Sequence, residues 1–219
     1  MTFQIGLFGQ DGMVLASDTK STEFGASMDG ASWTTITSKL QYDEEMNTVI
    51  AVAGDRLAQT SARDLIEQWD TLANNFERER VAEAPFLRGY PMGCNTSSLL
   101  VVRAKEQTMF HFTVGIGSSS KAHQTGKVIC GEGTALSLLF VERYADLASC
   151  PIDKLKELAA FTVWLTAQLK PTYVGGLEMM AFPKGGRPYK VETDELKQLE
   201  QKAVIYDTEV KHIISRQSL

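Results

Sequence analysis

Two apolar runs meet at Gln10-Asp11-Gly12, and no other feature of the chain constrains its fold as tightly. Residues 3–9 alternate, and Met13-Val14-Leu15-Ala16-Ser17-Asp18 follows the dipeptide. Asp-Gly between two such runs predicts a hairpin. A second strand signal is the almost continuous apolar run from Asn47 to Ala53, which predicts a strand buried on both faces.

The remaining elements fall between these anchors. Residues 21–32 are rich in Ser, Gly and small polar groups and read as a loop, with short strands near 33–37 and 39–42. After Gly54-Asp55, residues Ala58, Ala62, Leu65, Trp69, Leu72 and Phe76 recur at helical spacing and predict one inward face. Pro85, Gly89, Pro91 and Gly93 mark 77–95 as a helix end and loop. Strands are predicted near 96–104, 108–114 and 126–130. Gly131-Glu132-Gly133-Thr134 then reads as a strand-to-helix turn. One helix carries Leu136, Leu139, Phe140, Tyr144 and Leu147. Pro151 separates it from a second, 152–169, with Leu155, Leu158, Leu165 and Leu169 inward and Pro171 as its stop. Gly175-Gly176 precedes a strand from Leu177 to Phe182, a turn at Lys184-Gly185-Gly186-Arg187 and a short strand. Thr193-Asp194-Glu195 caps a charged, helical tail, 193–219. Strands, helix, strands, two helices, strands is an α+β order: two stacked sheets with helices outside, in one domain over 1–219.

Composition removes several classes of function. The net charge of −5 argues against nucleic acid, which requires a dense basic patch. Glu77-Arg78-Glu79-Arg80 mixes signs and reads as a solvated helix end. Cys94, Cys130 and Cys150 are odd in number, widely spaced and without a CxxC, so neither a disulfide framework nor a zinc site is expected. No apolar stretch approaches the roughly 18 residues of a membrane span. No secretory signal precedes the first strand, so a cytoplasmic protein without membrane contact is expected.

The usual nucleophile systems have no anchor. His111 lies between Phe110 and Phe112 in an alternating strand and reads as a surface or edge-strand residue; His123 and His212 stand in no motif. There is no Gly-x-Ser-x-Gly elbow and no phosphate loop, and Gly115-Ile116-Gly117-Ser118-Ser119 lacks the lysine of the latter. A threonine at a mature N-terminus needs far less sequence, because its own α-amine, with a pKa near about 7.7–8.0, serves as the base. Met1-Thr2 is compatible with that chemistry, since small second residues permit removal of the initiator methionine.

The constellation is more specific than Met1-Thr2 alone. The opening Thr2-Phe3-Gln4-Ile5-Gly6-Leu7, with its return through Val14-Leu15-Ala16-Ser17-Asp18-Thr19-Lys20, resembles the start of proteasome β subunits, which are N-terminal-nucleophile hydrolases. Ser38-Lys39-Leu40, Val52-Ala53-Gly54, Cys130-Gly131-Glu132-Gly133-Thr134-Ala135 and Gly175-Gly176 match further landmarks of that family in order, over roughly residues 2–182. The resemblance implies a four-layer αββα sandwich, self-assembled into stacked rings, and a threonine peptidase acting on polypeptides. It implies Thr2 as nucleophile, Lys39 tuning the hydroxyl and amine, Asp18 pairing with Lys39, and the Gly54 N–H as oxyanion donor. Substrate would run beside Ser21 and Thr22, with Val52 at the specificity pocket. A regulatory AAA+ ATPase is implied as a partner, and no metal or organic cofactor is indicated.

The pattern also departs from the family. Glu132 stands where active members carry a serine near the threonine amine. Pro171-Thr172-Tyr173-Val174 replaces an Asp and a Ser before the late Gly-Gly, and Lys20 replaces an arginine. Glu132 is therefore a candidate acceptor for the ammonium. Singly, Asp18 also reads as a loop cap, Lys39 as a surface lysine and Gly54 as a helix-entry residue. The rival reading is a non-catalytic ring subunit; a third is an amidase acting on a small amide. Among bacterial branches, the pattern resembles HslV, the ancestral β subunit Anbu and the β-proteobacterial proteasome homologue; the tail after 193 is longer than in HslV, no single motif separates the three, and the last is the branch favoured.

Overall fold

The computed structural model describes residues 2–24, 32–45, 47–54, 57–89, 97–114, 119–131, 134, 137, 141–142 and 146–216. The expected hairpin forms from β1 (Phe3–Phe8) and β2 (Gly12–Ser17), antiparallel with Gln4 opposite Ser17 and Phe8 opposite Met13. The Gly9 N–H donates to the Gly12 carbonyl at 2.9 Å and closes the turn. β10 (Lys127–Gly131) pairs with the free edge of β1. β11 (Glu178–Pro183) pairs with β2, and β12 (Tyr189–Lys190) with β11. The first five-stranded sheet therefore runs β10-β1-β2-β11-β12. A second joins β5 (Leu40–Asp43), β6 (Thr48–Ala53), β7 (Ser97–Arg103), β8 (Thr108–Val114) and β9 (Ser119–His123) in that order.

Strand alternation decides what each sheet face meets. Phe3, Ile5, Leu7, Val14 and Ala16 share a core with Leu155, Ala159 and Val163 of α3 (Ile152–Leu169). The opposite faces of the same strands send Phe8, Met13 and Leu15 against Val49, Ala51, Leu100, Val102 and Met109 of the second sheet. From that sheet's other face, Ile50, Val52, Leu99, Val101 and Phe112 pack on Ala58, Ala62, Leu65 and Ala82 of α1 (Leu57–Gln68) and α2 (Asn75–Gly89). Every residue of β6 is buried, as expected of a strand covered on both sides. The helix expected in the tail, α4 (Thr193–Arg216), lies along α3, where Glu157 accepts from Lys202 at 2.7 Å and from Tyr206 at 3.1 Å.

Several expectations are corrected. Residues 21–24 are not loop: β3 (Lys20–Phe24) pairs with β4 (Ser32–Ile36) as a separate two-stranded ladder. Its Thr34, Thr35 and Ile36 are exposed, so no core imposes an apolar alternation to read. β9 escapes notice for a similar reason, as a largely solvated edge strand. The helix after Gly54 breaks at a 3₁₀ turn, Trp69–Thr71, and α2 starts afresh. Asn74 caps it: its side-chain oxygen accepts the Glu77 N–H at 3.0 Å, while Glu77 accepts the Ala73 N–H at 2.8 Å. Phe76 consequently points to solvent, 66 % exposed. Leu169 is 52 % exposed, and Thr162 and Thr166 take the inner face beside Leu155, Ala159 and Val163. Thr134, Ser137, Val141 and Glu142 are helical, and Leu147 is buried in a 3₁₀ turn. Leu136, Leu139, Phe140 and Tyr144 lie outside the described residues. No helix among the described residues is long and apolar enough to cross a membrane.

Candidate active site

Thr2 precedes β1 directly and is 8 % exposed. Its C-terminal neighbour Phe3 lies opposite Gly131 on β10, at a close approach: a Cβ on Gly131 would fall 1.8 Å from the Thr2 carbonyl oxygen. Gly131 has φ +90°, so glycine serves there both for space and for backbone angle.

Asp18 follows β2 and lies beside the same end of β1. The Asp18 N–H donates to the Phe3 carbonyl at 3.1 Å, and the Phe3 N–H donates to Asp18 Oδ1 at 2.8 Å. That oxygen also receives Lys39 Nζ at 2.7 Å. Lys39 stands between β4 and β5, and its ammonium donates additionally to the Lys20 carbonyl at 2.6 Å. One carboxylate thus joins the peptide immediately after Thr2 to a lysine 21 residues from itself.

Asp18 is fully buried and the Lys39 side chain is 9 % exposed. Burial pushes the Asp18 carboxyl upward, against the pull of the Lys39 charge and of hydrogen bonds from Lys39, Phe3 and Gly175. Burial likewise pushes the Lys39 ammonium downward, while Asp18 and then Glu178 hold it up. A lysine with a lowered pKa beside a buried carboxylate is suited to tuning a neighbouring proton transfer.

Of the other expected residues, Val52 and Ser21 are linked to this pair through the backbone. The Val52 N–H donates to the Lys39 carbonyl at 3.4 Å, which sets the end of β6 against the lysine. Gly54 follows with φ +121°, and a Cβ there would meet Ser97 Oγ at 2.4 Å. Ser21 adjoins Lys20, whose carbonyl Lys39 uses, and is half-buried in β3. Thr22 is opposite Thr34 in the same ladder; its side chain, like all of Glu132, lies outside the described residues. Gly175 accepts from the Thr19 and Lys20 N–H groups at 3.0 and 2.9 Å, and its own N–H donates to Asp18 Oδ2 at 3.4 Å. The late Gly-Gly therefore holds the turn that carries Asp18.

Sequence reasoning missed Glu178. It lies at the start of β11, opposite Ser17, is 3 % exposed, and accepts from Ser38 Oγ at 2.6 Å, the Leu40 N–H at 3.2 Å and the Lys39 N–H. A glutamate opening a strand otherwise composed of Met, Ala, Phe and a final Pro was the available signal. Among the described residues no group of His, Cys, Asp and Glu is placed to hold a metal ion.

No protein-family model and no curated protein matches the chain. Solved structures do. The Anbu complex from Pseudomonas aeruginosa, determined as a helical assembly, superposes with a TM-score of 0.73 at 13 % identity over 98 % of this chain and 96 % of that one. Anbu (ancestral β-subunit) from Yersinia bercovieri gives 0.70 at 14 % identity over 97 % and 96 %. Anbu from Hyphomicrobium sp. strain MC1 gives 0.69 at 13 % identity over 97 % of both chains. At this identity the likeness is one of fold: the chain has the mixed helix-and-sheet fold of the Anbu proteins, end to end.

Proposed function

We propose that the chain is a threonine-type endopeptidase of the proteasome β kind, built as a four-layer αββα sandwich in a single domain and self-assembling into rings or a helical stack. The observation that carries the reading is the Asp18 carboxylate shared between the Phe3 N–H and the Lys39 ammonium, immediately beside Thr2.

In this reading, removal of Met1 exposes the Thr2 α-amine. The amine accepts the Thr2 Oγ proton as Oγ attacks the peptide carbonyl, and the Lys39 charge favours the alkoxide. The tetrahedral oxyanion is met by the Gly54 N–H, a kind of contact whose loss typically costs about 3–4 kcal/mol in the transition state. The protonated amine then delivers its proton to the leaving amine, and water hydrolyses the ester by the reverse sequence. Glu132 is the candidate acceptor for the ammonium, and Ser21, Thr22 and Val52 are the candidate substrate contacts. Polypeptide substrates, an AAA+ partner and a cytoplasmic setting belong to the same reading, and the fold likeness favours the Anbu branch over HslV.

A second reading is a structural ring subunit without activity. Pro171-Thr172-Tyr173-Val174 in place of the family's Asp and Ser, and a Thr2 that is 8 % exposed, favour it. The intact mass of the purified protein, with and without a threonine-directed β-lactone, separates the two. Loss of Met1 and one adduct that is absent in Thr2→Ala support the peptidase. A retained methionine without an adduct supports the structural subunit.

A further inference from the structure

Glu178 belongs to the first sheet, yet everything its carboxylate is seen to bind lies on the short segment that leads into β5 of the second. Ser38 Oγ donates to Oε2 at 2.6 Å, and the N–H groups of Lys39 and Leu40 both donate to Oε1, the latter at 3.2 Å. Ser38 Oγ also lies 3.1 Å from the Leu40 carbonyl. A carboxylate this deeply buried is stable only when its lone pairs are met, and here three donors from consecutive residues meet them. In the register of the first sheet, Glu178 sits opposite Ser17, one residue before Asp18. Lys39 is therefore held twice by the same end of the first sheet: through its backbone N–H by Glu178 and through its ammonium by Asp18.

We propose that Glu178 is a positioning residue, whose carboxylate fixes the Ser38–Leu40 backbone so that the Lys39 ammonium is held against Asp18 at the threonine site. It acts through Lys39 and not on substrate. The role deepens the peptidase reading and rests on it for its catalytic consequence.

Two effects follow from the geometry. The first is mechanical: without Glu178 the segment bearing Lys39 loses three hydrogen bonds to the first sheet. The second is electrostatic: the Glu178 charge supports the Lys39 ammonium, so its removal drives Lys39 further down. Burial pushes the Glu178 carboxyl up, against the hydrogen bonds from Ser38, Lys39 and Leu40. The other charges around the pair are Asp18, which faces Lys39 directly, and Lys190 on β12, whose charge also opposes the rise of Glu178. Lys20 contributes its carbonyl to Lys39 and turns its own ammonium to the Pro171 carbonyl.

The test uses Glu178→Gln, of equal size and without charge, in the full chain. Competitive labelling with acetic anhydride across pH, read by peptide mass spectrometry, gives the Lys39 midpoint whether or not Thr2 is a nucleophile. The midpoint is expected to fall by about one pH unit, the size of losing a nearby opposite charge. Inactivation by a β-lactone across pH should lose about tenfold or more in kinact, a small displacement of a reacting group sufficing for that, with KI little changed. Its alkaline limb should move in the same direction as Lys39. Glu178→Asp keeps the charge at shorter reach; it should leave the Lys39 midpoint near wild type and still slow acylation, which also serves if the Gln variant does not fold. Equal Lys39 midpoints in wild type and folded Glu178→Gln overturn the proposal, as does a change confined to KI. A wild-type protein that takes no adduct removes the peptidase reading and leaves the Lys39 midpoint to decide the clamp.

Discussion

Replacing Asp18 by Asn isolates the charge of the buried pair. Asn keeps the size of the side chain and an oxygen for the Phe3 N–H, but it leaves the Lys39 ammonium unopposed at that contact. With Asp18 fully buried and Lys39 only 9 % exposed, water cannot replace the lost partner. Breaking a buried pair from one side costs about 3–5 kcal/mol. Lys39 can escape by releasing its proton, and from an ordinary pKa of about 10.4 that costs about 4–5 kcal/mol near neutral pH, so the penalty cannot greatly exceed this. The Lys20 carbonyl, still accepting at 2.6 Å, returns part of it. The expected loss is about 3 kcal/mol, a large share of the roughly 5–15 kcal/mol that holds a domain folded.

The assay is urea unfolding at fixed protein concentration, with wild type and variant compared for equal m-values. The pH dependence supplies a second, independent sign. In the variant, Lys39 has a folded pKa below its unfolded one, so between the two values the folded state binds fewer protons. Stability therefore rises with pH in that window, which closes near about pH 10.4. The deficit against wild type should shrink on moving from neutral to about pH 9.5. A loss below about 1 kcal/mol at neutral pH, the range of an exposed pair, refutes the reasoning. So does a deficit that stays constant with pH.

Other consequences can be checked more simply. Gly131→Ala places a Cβ against the Thr2 carbonyl at a residue with φ +90°, and should lower the melting temperature through strain of about 1–3 kcal/mol or more. An unchanged melting temperature would contradict the close approach. Burial pushes the Cys130 thiol up to about 12, so it should resist a disulfide reagent in the folded protein and react once unfolded; rapid native labelling, mapped by mass spectrometry, refutes this. Burial would raise the Glu157 carboxyl, but hydrogen bonds from Lys154, Lys202 and Tyr206 outweigh it and bring it to about 2. Its contribution is present above the ordinary carboxylate range and is lost as pH falls toward about 2. Wild type and Glu157→Gln should therefore differ in melting temperature at neutral pH and converge in acid.

Local pattern was enough wherever a structural element is specified by its own residues. Asp11-Gly12 made the β1–β2 hairpin legible, the apolar run made β6 legible, and Pro151 and Pro171 bracketed α3. Elements without an apolar stripe were not legible: Thr34, Thr35 and Ile36 of β4 and most of β9 are solvated, so their pairing leaves no alternation. The break between α1 and α2 is written as Asn74-x-x-Glu77, but helical spacing that continues through Trp69 to Phe76 masks it.

The site divides along the same line. Sequence alone could name Thr2, Asp18, Lys39, Val52 and Gly54 as candidates, because the residue types suit the chemistry and the flanking motifs resemble a family. It could not say that Asp18 Oδ1 joins the Phe3 N–H to Lys39, nor that Glu178, 139 residues from Lys39, grips the lysine's backbone. Those contacts depend on strand register and on how the end of one sheet meets the loop entering the other. Register and packing are settled by long-range burial acting on the whole chain, whereas periodicity and turn chemistry are settled within a few residues.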